Sequence, residues 1–109
     1  MKHLILRLRG CRNTEALKSA ERLRSVSDDI MTLLGVTVVG TLDHQFQPSG
    51  ATMIYLLAES HCAIHTFWAE AECFIDLFCC RDFDAILARN LFADALESED
   101  YDEELLDRS

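Results

Sequence analysis

The fold of this chain is decided by residues 53–79, MIYLLAESHCAIHTFWAEAECFIDLFC. Three apolar-rich runs, at 53–58, 62–68 and 73–79, are separated by short polar segments. Runs of this length are typical of β-strands, and the first is apolar enough for a buried strand. Connections this short join antiparallel neighbours, so the stretch predicts the centre of an antiparallel sheet.

The segment before this stretch predicts a strand followed by a helix. Leucine at every second position over residues 4–8 is the period of a half-buried strand. Apolar residues at steps of three and four over 17–33 predict one amphipathic helix. Asn13 is the expected N-cap of this helix, and Gly35 is expected to end it.

The remaining segments predict one strand, one helix and an acidic tail. Alternation over 36–46 predicts a further strand, and Pro48-Ser49-Gly50 predicts a turn after it. Asp82 or Asp84 is expected to begin a second helix. The tail 97–109 is rich in acids and is expected to be either an edge strand or disordered.

This order of elements predicts an α+β fold. We expect a two-layer sandwich in which two helices cover one face of a mainly antiparallel sheet of four to five strands. A chain of 109 residues without a linker or an internal repeat is expected to form one domain.

Composition and charge exclude several classes of protein. The net charge of −9 argues against a nucleic-acid binder, whose surface would be basic. No apolar run approaches the ~20 residues that span a bilayer, and no signal peptide is recognisable, so we expect a soluble cytoplasmic protein without a membrane partner. Five cysteines, an odd number, predict free thiols in a reducing compartment. Because so small a domain has a thin core, we expect a sizeable ligand pocket at a subunit interface.

Reactive side chains are concentrated between the first two runs. Residues 59–66 are Glu-Ser-His-Cys-Ala-Ile-His-Thr, and sheet formation does not require so many of them together. Ser60 places a hydroxyl beside a peptide carbonyl, and His61 and His65 are able to move protons. Because no Gly-x-Ser-x-Gly motif surrounds Ser60, an α/β-hydrolase is not expected.

Two other interpretations of these residues are open. A Ser-His-Asp hydrolase needs an acid, for which Asp76 is the only obvious candidate in the sequence. The histidines could also bind zinc together with Cys62 or Cys80. The cysteines lack Cys-x-x-Cys spacing, so we expect no metal.

An ordered set of motifs resembles the prokaryotic S-adenosylmethionine decarboxylases. The motifs are His44-x-Phe46, Pro48-x-Gly50-x-Thr52, Glu59-Ser60-His61, Ile64-His65-Thr66 and Asp76-x-Phe78-x-Cys80. They occur in the order and at the spacing of that family, without a gap, over residues 44–80. The first strand and helix match the family in outline.

The resemblance implies a proenzyme that cuts itself between Glu59 and Ser60. The Ser60 hydroxyl attacks the Glu59 carbonyl, and elimination from the resulting ester yields a 1–59 chain and a 60–109 chain. The second chain begins with a pyruvoyl group made from Ser60. That cofactor forms a Schiff base with the substrate amine and accepts the electrons left when carbon dioxide departs, with no metal expected.

The family's residue roles are implied for matching positions of this chain. Ser60 becomes the pyruvoyl group, and His65 is the proton acceptor that removes the Ser60 α-proton during processing. Thr52, where the family has serine, is the processing hydroxyl, and Cys80 is the proton donor to the decarboxylated product. Phe46 aligns with an aromatic wall of the substrate pocket.

The segment after His65-Thr66 departs from the family pattern. The family has Trp-Pro-Glu where this chain has Phe67-Trp68-Ala69-Glu70, so Phe67 and Glu70 are the expected substrate-binding residues. The family decarboxylates S-adenosylmethionine for spermidine biosynthesis. Because this segment shapes the pocket, arginine and ornithine are alternative substrates for the same chemistry.

The resemblance also implies an assembly, and the departures leave one non-enzymatic alternative. The implied assembly is a homodimer of two-chain protomers with its sites near the dimer interface. Arg81, where glycine is common, and above all Thr52 and the short acidic C-terminal tail, in place of a better-formed final strand, depart from the pattern. These departures fit a non-catalytic paralogue that binds and regulates an active relative.

Overall fold

Six strands, each antiparallel to its neighbours, form one sheet in the computed structural model, which describes residues 1–108. The strands are β1 (Lys2–Arg9), β2 (Val38–Gln45), β3 (Ala51–Leu57), β4 (Ser60–Phe67), β5 (Glu72–Cys79) and β6 (Asp100–Asp107). Their order across the sheet is β2-β3-β4-β5-β1-β6. Ser109, the last residue of the predicted tail, lies outside the described residues.

Three helices cover one face of this sheet. They are α1 (Thr14–Lys18), α2 (Ala20–Leu34) and α3 (Ala85–Leu96). Because side chains alternate along a strand, Leu6 of β1, Ile75 of β5 and Ile64 of β4 meet on the covered face and are buried. The expected α+β two-layer sandwich is therefore confirmed. We call the side of the sheet without helices the open face.

The helix predicted over 17–33 is broken in two at Ser19. Asn13 caps α1 and Gly35 ends α2, as expected. Ser19 has an extended backbone, with φ −119° and ψ 123°, and its side chain caps α2 by accepting from the backbone N–H of Arg22. The apolar spacing continues across the break, so periodicity alone did not indicate it.

Two strand predictions differ from the structure in their burial. The run 53–58, predicted as a buried strand, alternates instead, because Ile54 and Leu56 lie on the open face and are 37% and 56% exposed. The strand predicted over 36–46 is largely exposed, because β2 is an edge strand. A register shift between Val38 and Gly40 also interrupts its alternation.

The acidic tail forms the sixth strand, one more than the four to five expected. β6 pairs with β1 along its whole length, where the outward side chains of β1 include basic residues. Arg9 contacts the carboxylates of Asp100 and Asp102 at 2.9 and 3.0 Å. From α3, Arg89 contacts Glu103 at 2.9 Å. Exposed ion pairs contribute little individually, so strand pairing and the set of ion pairs together order the tail.

No helix among residues 1–108 is long and apolar enough to cross a membrane.

Candidate active site

The predicted site residues form two groups at opposite ends of β4. The cleavage-site group consists of Glu59, Ser60 and Cys80. The pocket group consists of Phe46, Thr52, His65, Phe67 and Glu70. The structure brings together the members of each group but separates the two groups within one chain.

The peptide bond that is predicted to be cut follows a strained turn. Ala58 and Glu59 form a two-residue connection between β3 and β4, flanked by the paired residues Leu57 and Ser60. Glu59 has φ 59°, a left-handed conformation that costs a non-glycine residue about 1–3 kcal/mol. The peptide bond between Glu59 and Ser60 is thus held where cleavage can release strain.

Ser60 and Cys80 meet beside this turn. The Ser60 side chain is almost fully buried, and its Oγ accepts a hydrogen bond from the backbone N–H of Cys80 at 2.8 Å. Because Oγ is the acceptor in that bond, its own proton remains available for removal. The Cys80 thiol lies 3.7 Å from the carbonyl oxygen of Ala58. A hydroxyl and a thiol therefore both lie next to the bond that is predicted to be cut.

The pocket group lines a cavity of about 330 Å³ at the other end of β4. The loop 46–50 supplies Phe46, and Phe67 and the short 3-10 turn Trp68–Glu70 after it supply the other rings and a carboxylate. Rings and a carboxylate thus surround the space, with a histidine and hydroxyls at its base.

Thr52 and His65 form a hydrogen-bonded pair at the base of this cavity. They face each other across β3 and β4, with Thr52 Oγ1 3.1 Å from His65 Nδ1. When Nδ1–H donates to the threonine oxygen, the Nε2 lone pair is free to accept a proton. The pair is therefore suited to act as a base.

His65 does not reach Ser60 of the same chain. The two residues are five positions apart on β4, which corresponds to about 16 Å at the rise of a strand. An odd separation also places their side chains on opposite faces. Ser60 shares the covered face with Cys62 and Ile64, whereas His65 lies on the open face.

The alternative hydrolase and zinc interpretations find no support in the positions of their residues. Asp76 accepts a hydrogen bond from His3, and its carboxylate lies 3.6 Å from His61 on the open face, away from the Ser60 hydroxyl. His61 and His65 are about 13 Å apart along β4, and Cys62 is buried on the other face.

A different group on the open face brings possible metal ligands together. Ligand atoms of His3, His61 and Asp76 lie within 4.8 Å of one another. Both ring nitrogens of His3 are already engaged, because Nε2 contacts Asp76 and Nδ1 lies 3.3 Å from the Arg108 guanidinium, which can only donate. This arrangement indicates a hydrogen-bonded network rather than a set of metal ligands.

Cys80 is the partly exposed thiol, and we expect it to react before the other four. Burial raises the pKa of Cys11 to about 11 and also raises the pKa values of Cys62 and Cys73 well above that of a free thiol, so little reactive thiolate forms there. At about pH 8, an aromatic disulfide reagent should modify one thiol per native chain rapidly. All five should react after denaturation.

The matching control for this thiol prediction is Cys80→Ser. The native variant should lose the rapid reaction and keep four slow thiols. Two or more rapid thiols in the wild-type protein would contradict the burial described above.

Comparison with known proteins decides the family. The family model described as S-adenosylmethionine decarboxylase matches residues 2–109. The chain belongs to the S-adenosylmethionine decarboxylase family. A relative from Archaeoglobus fulgidus, an S-adenosylmethionine decarboxylase proenzyme, is 34% identical over 108 residues, which cover 98% of this chain and 96% of the relative.

Two further comparisons agree with this family assignment. An S-adenosylmethionine decarboxylase proenzyme from Methanococcus maripaludis strain C5 is 38% identical over 82 residues, or 74% of this chain and 66% of the relative. The crystal structure of the adenosylmethionine decarboxylase from Aquifex aeolicus superposes with a TM-score of 0.88 at 25% identity. That match covers 99% of this chain and 89% of the other.

The expected family and enzyme class are confirmed at this level. S-adenosylmethionine decarboxylases of this family are pyruvoyl-dependent carboxy-lyases made from proenzymes, as the motifs implied. The roles of individual residues stay predictions. The sequence analysis made no prediction for Gln45 and Lys18, which contact the cavity-lining residues Phe46 and Trp68 respectively.

Proposed function

We propose that the chain is an S-adenosylmethionine decarboxylase of spermidine biosynthesis that cuts itself between Glu59 and Ser60. The products are a 1–59 chain and a 60–109 chain, which stay together as one domain. Each active site combines the cleavage-site group of one chain with the pocket group of a second copy. The observation that carries this proposal is the separation of Ser60 from His65 within one chain.

The open face supports a homodimer. Apolar side chains are partly exposed across it, including Ile5, Ile54, Leu56 and Phe74, each between 37% and 56% exposed. Two such faces can pack as the layers of a sandwich, about 10 Å apart. A two-fold axis between the layers and perpendicular to β4 places the Ser60 end of one chain opposite the His65 end of the other.

This arrangement also suits the stereochemistry at Ser60. Its side chain points to the covered face, so the open side of the backbone at this position is not blocked by that side chain. The partner's Thr52–His65 pair lies on its own open face and approaches from that side. The base that processing requires is thus supplied by the second copy.

Self-cleavage proceeds through groups that the chain itself holds. The Ser60 Oγ attacks the carbonyl carbon of Glu59, the C–N bond breaks and an ester forms. The partner's His65 then takes the Ser60 α-proton, and the ester C–O bond breaks to release the Glu59 carboxylate. The remaining dehydroalanine becomes an imine, and water replaces its nitrogen as ammonia. This leaves a pyruvoyl group.

The residues at the turn between β3 and β4 fit the formation of a pyruvoyl group at Ser60. Ser60 lies directly after the scissile bond, the Cys80 N–H is directed at its oxygen, and Glu59 is strained. Once formed, the pyruvoyl group supplies a carbonyl that binds the substrate amine and accepts electrons. Cys80, beside it, then returns a proton to the substrate carbon.

The cavity favours S-adenosylmethionine over arginine or ornithine. Phe46, Phe67 and Trp68 offer ring faces to adenine and to the sulfonium cation, and a cation–π contact contributes ~0.5–2 kcal/mol. Glu70 is the one acid among the described lining residues. The side-chain cation of arginine or ornithine would therefore find no second carboxylate among these lining residues.

The proposed function is tested by intact mass and by substrate. Under denaturing, reducing conditions the protein should appear as two chains split after Glu59, the second lacking a free amino terminus. Carbon dioxide should be released from carboxyl-labelled S-adenosylmethionine and not from arginine or ornithine. One unbroken chain of 12.4 kDa after prolonged incubation would instead favour the non-catalytic paralogue.

Replacement of Cys80 by alanine should separate processing from turnover. Cleavage should continue because Ser60 keeps its hydroxyl and the alanine keeps the backbone N–H donor. Turnover should fall by about 10²–10⁴-fold, the usual contribution of a positioned proton donor. Chain masses and labelled carbon dioxide release measure the two effects.

The neighbouring variant Cys79→Ala is the control, because Cys79 is buried on the covered face. It should keep both cleavage and turnover. Equal turnover in the two variants would remove Cys80 from the proposed chemistry.

A further inference from the structure

The side-chain amide of Gln45 lies in the break between α1 and α2. Its Oε1 accepts a hydrogen bond from the backbone N–H of Ala20 at 2.6 Å, and its Nε2 donates to the carbonyl of Lys18 at 2.8 Å. Backbone groups at a helix end have no partner within the helix. Gln45 therefore provides hydrogen-bond partners for two backbone groups at the break, the N–H of Ala20 and the carbonyl of Lys18.

The same amide also holds the loop 46–50. Nε2 lies 3.0 Å from the carbonyl oxygen of Phe46 and 3.1 Å from that of Gly50. Gly50 in turn donates its N–H to Lys18 at 3.0 Å, and Phe46 donates its N–H to Gly50 at 2.8 Å. The loop that carries one aromatic wall of the cavity is thus fastened to the helix break through Gln45.

Trp68, which also lines the cavity, contacts Lys18, the last residue of α1. The ammonium group of Lys18 lies 4.7 Å from the centre of the Trp68 ring, within the range of a cation–π contact. Lys18 also accepts from Gln45 through its carbonyl. Lys18 therefore contacts both parts of the cavity lining, the loop of Phe46 through its backbone carbonyl and Trp68 through its side chain.

We propose that Gln45 is a positioning residue that sets the separation of the Phe46 and Trp68 walls and thereby the affinity for substrate. The proposal rests on the proposed function, because it takes this cavity as the substrate pocket. We expect Gln45 to have no effect on self-cleavage, because Thr52 and His65 are positioned by the pairing of β3 with β4.

The test compares Gln45→Met with Gln47→Met. Methionine keeps the length of the side chain but removes every hydrogen bond of the amide, whereas Gln47 is exposed and has no side-chain hydrogen bond among the described contacts. In Gln45→Met the KM for S-adenosylmethionine should rise about tenfold, while kcat stays within about twofold, the signature of lost binding alone. The rate of self-cleavage should also stay within about twofold. Gln47→Met should match the wild-type protein.

Trp68 provides a second readout that needs no activity. It is the only tryptophan of the chain, so intrinsic fluorescence reports on it alone. Acrylamide should quench it more strongly in Gln45→Met than in the wild-type or Gln47→Met protein. Should Gln45→Met fail to fold, Gln45→Glu keeps the acceptor, loses the donors and should change both readouts in the same direction.

Each outcome has a distinct meaning. An unchanged KM, or a fall of kcat without a change in KM, overturns the positioning role even when quenching increases. If the wild-type protein releases no carbon dioxide, the proposed function fails instead. The quenching comparison then still tests whether Gln45 fixes the position of Trp68. Equal quenching in the wild-type and Gln45→Met proteins overturns that role.

Discussion

Replacement of Ser60 by alanine is expected to leave one uncut chain without decarboxylase activity. The hydroxyl that attacks the Glu59 carbonyl is removed, and no precursor of the pyruvoyl group remains. Loss of activity should be complete rather than partial, because the cofactor itself is missing. Intact mass and labelled carbon dioxide release measure both effects, and the folded state can be checked by circular dichroism.

The control for this prediction is Ser25→Ala, since Ser25 is an exposed serine of α2 far from the turn. That protein should be cut and active. Two chains from the Ser60→Ala protein, split at the same bond, would show that another group opens the peptide bond and would end the proposed chemistry.

The second large effect is the rescue of one inactive variant by another. His65→Ala alone should stall before elimination, as an uncut chain or as a base-labile ester. Ser60→Ala alone should stay intact. When the two are co-expressed with different tags, a mixed dimer contains one site with both Ser60 and His65, contributed by different chains.

The mixture should therefore be cut in a specific pattern. Random pairing makes about half of the dimers mixed, so about half of the His65→Ala chains should be cut and none of the Ser60→Ala chains. Thr52 should behave as His65 does, because it lies in the same pair. An uncut mixture in which mixed dimers are demonstrably present would mean that His65 acts within its own chain.

Most of the fold followed from the sequence because its signals are local. Alternating leucines placed β1, and Asn13 and Gly35 marked the ends of the helical region. The break at Ser19 was missed because its cause is distant: it is filled by the amide of Gln45, 26 positions away in the sequence. The ordering of the acidic tail likewise depends on basic residues of β1 that lie about 100 positions earlier.

The candidate site residues were predicted from the resemblance of their motifs to the family, but their arrangement in space was not. Spacing places Ser60 and His65 five residues apart, which is close in sequence and suggests one site. The extended conformation of β4 turns that interval into about 16 Å and a change of face. The structure separates these residues into two groups within one chain, and this separation supports the proposal that a second copy completes each site.

The strand order has a consequence for the enzyme after processing. Cleavage between Glu59 and Ser60, as proposed, would leave β1, β2 and β3 in the 1–59 chain and the other three strands in the 60–109 chain. Three of the five strand pairs, β3–β4, β5–β1 and β1–β6, join one product to the other. The two pieces are therefore interleaved, with β1 inserted between β5 and β6. After the proposed cleavage, recovery of the sheet from denaturant would require two molecules to meet and would depend on concentration, whereas in the uncut precursor all six strands belong to one chain. The proposed maturation thus changes the formation of this sheet from a step within one chain into an association of two chains.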